Sequence, residues 1–350
     1  MPTNTAVYLL AVGQPLEVKE ALYPEPGENE IIVHNKAVVI NLIDIAYQKM
    51  GPSVFPWLKI PGVIGSDVAG EVVAIGPSVS HFAVGDRVVG HVSGAFQAYS
   101  TMSDHMAAII PATIPYEQAA VIPLGYTTAV LGFFHQNYLA LERPGVEVKP
   151  SGKTILIWGG STSVGSNAIQ AAVLAGNEVI TTASPKNFDY VKALGAAEVF
   201  GYNSPTIKDE LLTAFKGKIC AGAVAIASID AQSRNAAATA CIEVVAGSEG
   251  TKFVALNMPP PPSGLPKGVK ANFVNATVLR SEREFGYKVY DQYLSAALAA
   301  GNFKPAPEVQ GVGKGLEALQ PAMDQLGRGV RLRSLLSRYE SRRIGDVFCL

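Results

Sequence analysis

Residues 153–187 read KTILIWGGSTSVGSNAIQAAVLAGNEVITTASPKN, and the architecture follows from their pattern. Lys153–Trp158 is a short apolar run, the signature of a strand buried on both faces. A turn of glycine, serine and threonine follows, Gly159-Gly160-Ser161-Thr162-Ser163-Val164-Gly165. Over residues 163–175, Val164, Ala168, Ala172 and Ala175 recur at helical spacing, which predicts a helix. Residues 178–183 (EVITTA) form a second strand. The same alternation continues: a helix over 186–194 stopped by Gly195, a strand over 198–202, a helix over 207–215, a strand over 222–229, a helix over 231–245 and a strand over 251–257. Strands separated by helices of this size need crossovers, so they lie parallel in a sheet covered on both faces. The central fold class is α/β, doubly wound.

The flanks differ. Before this region, residues 6–12, 30–40, 67–75 and 86–90 are short and rich in Val and Ile. Pairs such as Pro26-Gly27, Pro61-Gly62 and Gly76-Pro77 punctuate them, which suggests a compact barrel or sandwich. After it, four consecutive prolines at 259–262 exclude a central strand or helix. A strand over 271–280 and a helix over 284–299 are expected next. Arg328, Arg331, Arg333, Arg338, Arg342 and Arg343 crowd the tail. A solvated helix face explains them better than a cationic contact surface, and residues 331–350 show no clear β pattern.

Composition sets outer bounds. The chain has 350 residues, enough for two domains, with 48% hydrophobic and only 16% charged residues, so extensive disorder is excluded. Twenty-eight basic residues balance 29 acidic ones, which leaves no cationic excess for nucleic acid. Three cysteines (Cys220, Cys241, Cys349) are too few and too scattered for a disulfide framework or a four-thiolate zinc site. The uncharged stretches 118–141 and 154–177 are long enough to span a bilayer, but polar and glycine-rich interruptions favour buried elements. No signal peptide is visible at the N-terminus. A cytoplasmic protein without a membrane partner is expected.

The turn at 159–165 carries chemistry. Glycines between a strand and a helix let the backbone approach a pyrophosphate, and the helix N-terminus supplies unpaired amides and partial positive charge. Ser161, Thr162 and Ser163 add hydroxyls. The pattern is not G-x-G-x-x-G, so its weight comes from its place in the βαβαβ run. An NAD-selective site usually has a carboxylate after the second strand. Here Ser184, Pro185, Lys186 and Asn187 follow, with no acid before Asp189. Ser184 and Lys186 suit a 2′-phosphate, so NADP(H) is the expected cofactor.

The chain resembles the medium-chain dehydrogenase/reductase superfamily, in the zinc-independent quinone oxidoreductase and enoyl reductase branch that includes fungal trans-acting enoyl reductases. The resemblance spans about residues 5–330. It rests on AVVINLID (37–44), PGVIGSDVAGEV (61–72), VGDRV (84–88), GAFQAY (94–99), QAA (118–120), YTTA (126–129) and the glycine turn, in the family's order. It implies a GroES-like β-barrel domain (1–125, with the chain returning to it over 276–350, the tail left open) and a Rossmann NADP-binding domain (126–275). Nicotinamide and substrate would share the cleft between them. By motif position, Asn41 and Thr128 lie near the nicotinamide, and Gly160, Ser161, Thr162, Ser163 and Val164 line the pyrophosphate. Ser184, Lys186, Asn187 and Tyr202 surround the 2′-phosphate, and Asn257 meets the nicotinamide ribose.

Zinc-dependent relatives have a cysteine where this chain has Asn41 and His-Glu where it has Ser66-Asp67, so no metal is expected. Without a Lewis acid, conjugated alkenes and quinones are the easier hydride acceptors. The resemblance therefore implies an NADPH-dependent reductase of an activated alkene or quinone, with a small-molecule substrate that is either free or carrier-bound. Tyr47, following Asp44 in the loop that faces substrate in relatives, is the candidate proton donor. Polyketide-type enoyl reductases often carry a lysine two residues after that aspartate; this chain has Ala46 there, and Lys49 further on. Relatives are frequently homodimers. Two rival readings stay open: a non-reductive pathway enzyme of this fold, and a non-catalytic NADPH-binding protein.

Overall fold

The computed structural model describes residues 3–145, 147–226, 231–257, 264–327 and 346–349. The four prolines at 259–262 and the six tail arginines lie outside the described residues. The chain divides into two compact units, Gly125–Leu279, and Met1–Leu124 together with Arg280–Leu350.

The first of these, the central unit, is built on a parallel sheet. Its main path runs in the spatial order Glu198–Gly201, Glu178–Ala183, Lys153–Trp158, Ile219–Ala225, Phe253–Leu256, Lys270–Phe273. Every pairing along that path is parallel. Lys153–Trp158 comes first in the chain but lies inside the sheet. The chain winds from it to one side, then returns to the other, so the order reverses beside this strand. Strands buried on both faces read as unbroken apolar runs, which is why KTILIW gave such a plain signal. One face buries Leu156, Ala223, Ala225, Val254 and Leu256 with Ala237, Cys241 and Val244 of the helix Ala231–Gly247. The helix Ser163–Leu174 packs on the two strands that flank it in sequence.

The expected strand over 271–280 is corrected. Pairing stops at Phe273, and a 3₁₀ turn occupies Ala276–Ser281. The cause is local: Asn275 Oδ1 accepts from the Thr277 amide (3.1 Å) and hydroxyl (2.8 Å), a side-chain turn that competes with the ladder. The strand expected over 222–229 instead runs Ile219–Ala225.

The second unit is antiparallel for the most part. Glu30–Ile40 lies at its centre, pairing with Asp67–Ile75 and Tyr99–Ser103, and Arg87–His91 and Ala107–Ile109 extend the sheet. A three-stranded sheet of Glu17–Ala21, Asn4–Leu9 and Gly62–Val63 completes it. Val7, Ile31, Val33, Ile40, Val68, Val88, Phe96 and Met102 form its apolar centre. Buried Asn35 pins the long strand by donating to Ala95 O (3.1 Å), Gln97 O (2.8 Å) and Ser100 Oγ (2.8 Å). The tail does contain β structure: Asp346–Cys349 pairs parallel with Glu30–Ile40 and antiparallel with Gln310–Lys314. Four residues between uninformative flanks are too short for a period to show. Among the described residues no helix is long and apolar enough to cross a membrane.

Candidate functional site

In the central unit the strands are parallel, so their carboxyl ends share one edge. Gly159, Ser184, Tyr202 and Asn257 each begin the segment after a strand and therefore line that edge. Open α/β sheets bind ligands there, where strand order reverses, and the glycine turn follows the strand at that reversal.

The turn is held firmly. Gly159 adopts φ +84°, and a Cβ on it would meet Ile226 O at 2.4 Å. Its amide donates to Thr182 Oγ1 (3.0 Å), and the Gly160 amide donates to Thr182 O (2.9 Å). Thr162 is the N-cap of the helix Ser163–Leu174, and its Oγ1 accepts from the Gly165 amide at 3.0 Å. The amides of Ser163 and Val164, in the first turn, have no carbonyl a turn back within the helix to bond. They are the donors a pyrophosphate would use. Asn187 Nδ2 donates to Ser161 Oγ and to Ser184 Oγ, both at 3.1 Å, so three of the expected cofactor residues are tied together. Lys186 is exposed in the 3₁₀ turn Pro185–Asn187 and pairs with no described carboxylate. Tyr202 is half-buried one strand further along, Asn257 is half-buried after its strand, and Thr128 is half-buried on the helix Pro123–Phe134. The donor set and its geometry fit a phosphorylated dinucleotide.

The other unit holds the ionisable groups. Asp44 and Tyr47 lie on the helix Leu42–Met50, not in a loop. Asn41 caps that helix, and its backbone amide donates to Asp44 Oδ2 at 2.7 Å. The Asn41 side chain donates to Asp67 Oδ2 (2.9 Å), whose Oδ1 accepts from the Leu124 amide (2.7 Å). Asn41 thus bridges two carboxylates that are 0% and 1% exposed. Burial pushes Asp44 up to about 8, with Asp67 adding to the rise, while the Asn41 and Gly65 amides oppose it. Burial likewise raises Asp67 to about 7 against the Asn41 and Leu124 bonds. Tyr47 is raised by burial, opposed by the Trp57 hydrogen bond and by Arg280 and reinforced by Asp44. Burial lowers Arg280, with Tyr47 counteracting. His91 is driven down to about 3 by burial and by Arg280.

Asp67, Trp57 and Arg280 thus belong with Asn41, Asp44 and Tyr47, yet the sequence reading assigned them no role. Asp67 carried a usable signal, an acid inside the apolar run VIGSDVA. Arg280 carried none, being a lone base at the end of an expected strand. Among the described residues no group of three or more His, Cys, Asp or Glu could hold a metal ion.

Residues 27–142 match the alcohol dehydrogenase GroES-like domain. The chain is 51% identical over 345 residues to the dehydrogenase azaJ of Aspergillus niger, covering 96% of this chain and 99% of azaJ. It belongs to the medium-chain dehydrogenase/reductase superfamily, in the enoyl-reductase-like branch. A second superfamily member, the trans-enoyl reductase himH of Aspergillus japonicus, is 35% identical over 88% of this chain and 89% of its own length. The Escherichia coli quinone oxidoreductase, whose structure is a complex with NADPH, has the same fold: TM-score 0.68, 22% identity, 99% of each chain covered. The GroES-like and Rossmann-like architecture and an oxidoreductase class are thereby established for this superfamily member.

Proposed function

We propose that the chain is an NADPH-dependent reductase that delivers hydride to an activated alkene, of the enone or enoyl type, or to a quinone. The observation that carries this is the glycine turn with its tied loop, Ser161–Asn187–Ser184, and an exposed lysine where an NAD-selective site has an acid. The trans-enoyl reductase and the NADPH-complexed quinone oxidoreductase among its likenesses support the same reading.

The Ser163 and Val164 amides would hold the pyrophosphate, aided by the helix dipole. Ser184, Lys186, Asn187 and Tyr202 would surround the 2′-phosphate, and Asn257 would meet a ribose. Asn41, oriented by Asp67, would bound the nicotinamide. When bound in its reduced form, the nicotinamide supplies a hydride to carbon. Tyr47 would provide the proton that completes the reduction. Asp44 is wholly buried and acts through Asn41 as a positioning residue. Asn41 stands where zinc-dependent relatives have a cysteine, and here its carboxamide donates to the Asp67 carboxylate.

Titration calorimetry with NADPH and NADH, followed by turnover with conjugated enones and benzoquinones, tests the proposal. Saturable NADPH oxidation by at least one acceptor is expected. NADPH binding without turnover of any acceptor would remove the reductase reading, and no binding at all would remove the cofactor reading too. Lys186→Ala should weaken NADPH roughly 10- to 100-fold, the loss of one charge-assisted contact, and change NADH little. Equal weakening of both would reject the 2′-phosphate role.

A further inference from the structure

Tyr47 does not stand alone. The helix Leu42–Met50 ends at Gly51, which adopts φ +61° and donates its amide to Tyr47 O. The chain then folds back through the 3₁₀ turn Gly51–Ser53, bringing Phe55 and Trp57 to Tyr47. The Phe55 ring meets Tyr47 edge-on at 4.9 Å and 82°, and Trp57 meets Phe55 at 5.7 Å. Trp57 Nε1 donates to the Tyr47 hydroxyl at 3.2 Å. Trp57 itself is 40% exposed.

The direction of that hydrogen bond is not a choice. An indole N–H can only donate, so the Tyr47 oxygen must accept. The hydroxyl's own hydrogen is therefore turned away from Trp57. Among the described residues no hydrogen-bond acceptor for it is present, so it is available to a ligand.

We propose that Trp57 is a positioning residue for proton delivery: its Nε1–H occupies one lone pair of the Tyr47 oxygen, aims the Tyr47 O–H outward, and holds the phenolate that forms. This rests on the reading of Tyr47 as proton donor in a reduction. After hydride reaches carbon, the oxygen of the substrate's enolate or hydroquinone anion takes the Tyr47 hydrogen, and an enol so formed tautomerises to the saturated carbonyl compound. A new O–H bond forms on the substrate and the Tyr47 O–H bond breaks, leaving its electron pair on the phenolate oxygen. Water then returns a proton to Tyr47. In the interval the Trp57 contact becomes a charge-assisted bond, stronger than before, so its contribution is larger in the transition state than in the ground state. Arg280 favours the same anion.

The test uses the full chain with NADPH and whichever conjugated enone or benzoquinone it reduces, comparing Tyr47→Phe, Trp57→Phe, Trp57→His and the double Phe variant. Trp57→Phe keeps an aromatic ring and removes the N–H. It should lower kcat about tenfold, the lower end for a charge-assisted hydrogen bond, with KM changed less than about threefold and the alkaline limb of the kcat–pH profile moved upward. Trp57→His restores a ring N–H and should recover part of the rate. The double variant should be no slower than Tyr47→Phe. A slow Tyr47→Phe beside an unchanged Trp57→Phe overturns the role of Trp57 and spares Tyr47. An unchanged Tyr47→Phe removes the donor reading and Trp57's role with it. A titration independent of turnover gives a second readout: phenolate difference absorbance, wild type minus Tyr47→Phe. Trp57→Phe should move this Tyr47 titration to higher pH, and an unmoved curve overturns the proposal.

Discussion

Gly165→Ala is expected to weaken NADPH and NADH alike by about 100-fold and to lower Tm, because the new methyl group has nowhere to go. Its Cβ would lie 2.2 Å from Gly159 O, 2.7 Å from Gly160 Cα and 2.9 Å from Gly159 C. All three are backbone atoms, so no rotamer change relieves the clash. The turn cannot retreat easily either: Gly159 and Gly160 are bonded to Thr182, and Gly159 O accepts from both the amide (3.1 Å) and the hydroxyl (2.8 Å) of Thr162. The helix Ser163–Leu174 must therefore lift from the turn, at a cost of about 1–3 kcal/mol for an overpacked site. Lifting moves the Ser163 and Val164 amides away from where a pyrophosphate would sit, and the two cofactors share that group. The contrast with Lys186→Ala is diagnostic, since that change should discriminate between the cofactors. Calorimetry showing wild-type affinity in a folded Gly165→Ala protein would mean that the dinucleotide does not use this helix end.

The legible and illegible parts of this chain divide by how a residue is buried. The central sheet is legible because its inner strands are short, mostly apolar runs that alternate with helix-length segments. The helix Pro123–Phe134, which contains YTTA, has no legible helical period. It is apolar nearly all round, so it lacks the amphipathic period that marks a helix. The helix Leu42–Met50 lies where the resemblance implies a loop, and the local signal for it is the pair Asn41 and Asp44 at N-cap and third position, which marks a helix start. The cluster around Tyr47 was half visible. Asn41, Asp44 and Tyr47 lie within one motif, whereas Asp67 and Trp57 lie 26 and 10 residues from their partners and Arg280 lies far along the chain. Separations of that kind are set by tertiary folding, and local pattern cannot report them. The loop 184–187 was more informative because its message was compositional: a base and a hydroxyl where an acid would otherwise stand.

The buried carboxylates should govern how stability depends on pH. Asp44 rises from an ordinary 3.8 to about 8 on folding, and Asp67 from 3.8 to about 7. Between pH 4 and 8 the folded chain therefore binds more protons than the unfolded chain. Stability must then fall as pH rises through this window. The contribution is fully present below about pH 4 and is gone above about pH 8, the reverse of an ordinary salt-bridged carboxylate. Asp44→Asn removes the ionisation while an amide oxygen can still accept from the Asn41 backbone. The wild-type loss of stability between pH 5 and 8, on the order of a few kcal/mol, should be cut by about half in this variant, the Asp67 share remaining up to about pH 7, and the variant should melt higher than wild type at pH 8. Asp44→Ala should instead melt lower at every pH, because the Asn41 amide loses its partner inside the protein. Thermal melts across pH 5–8 decide the matter: parallel wild-type and Asp44→Asn curves would mean that Asp44 ionises freely. Because Asn41 links both carboxylates, ionising either one pulls on the side chain proposed to bound the nicotinamide. Alkaline loss of cofactor affinity should accordingly track the alkaline loss of stability in wild type, and Asp44→Asn should move the two together.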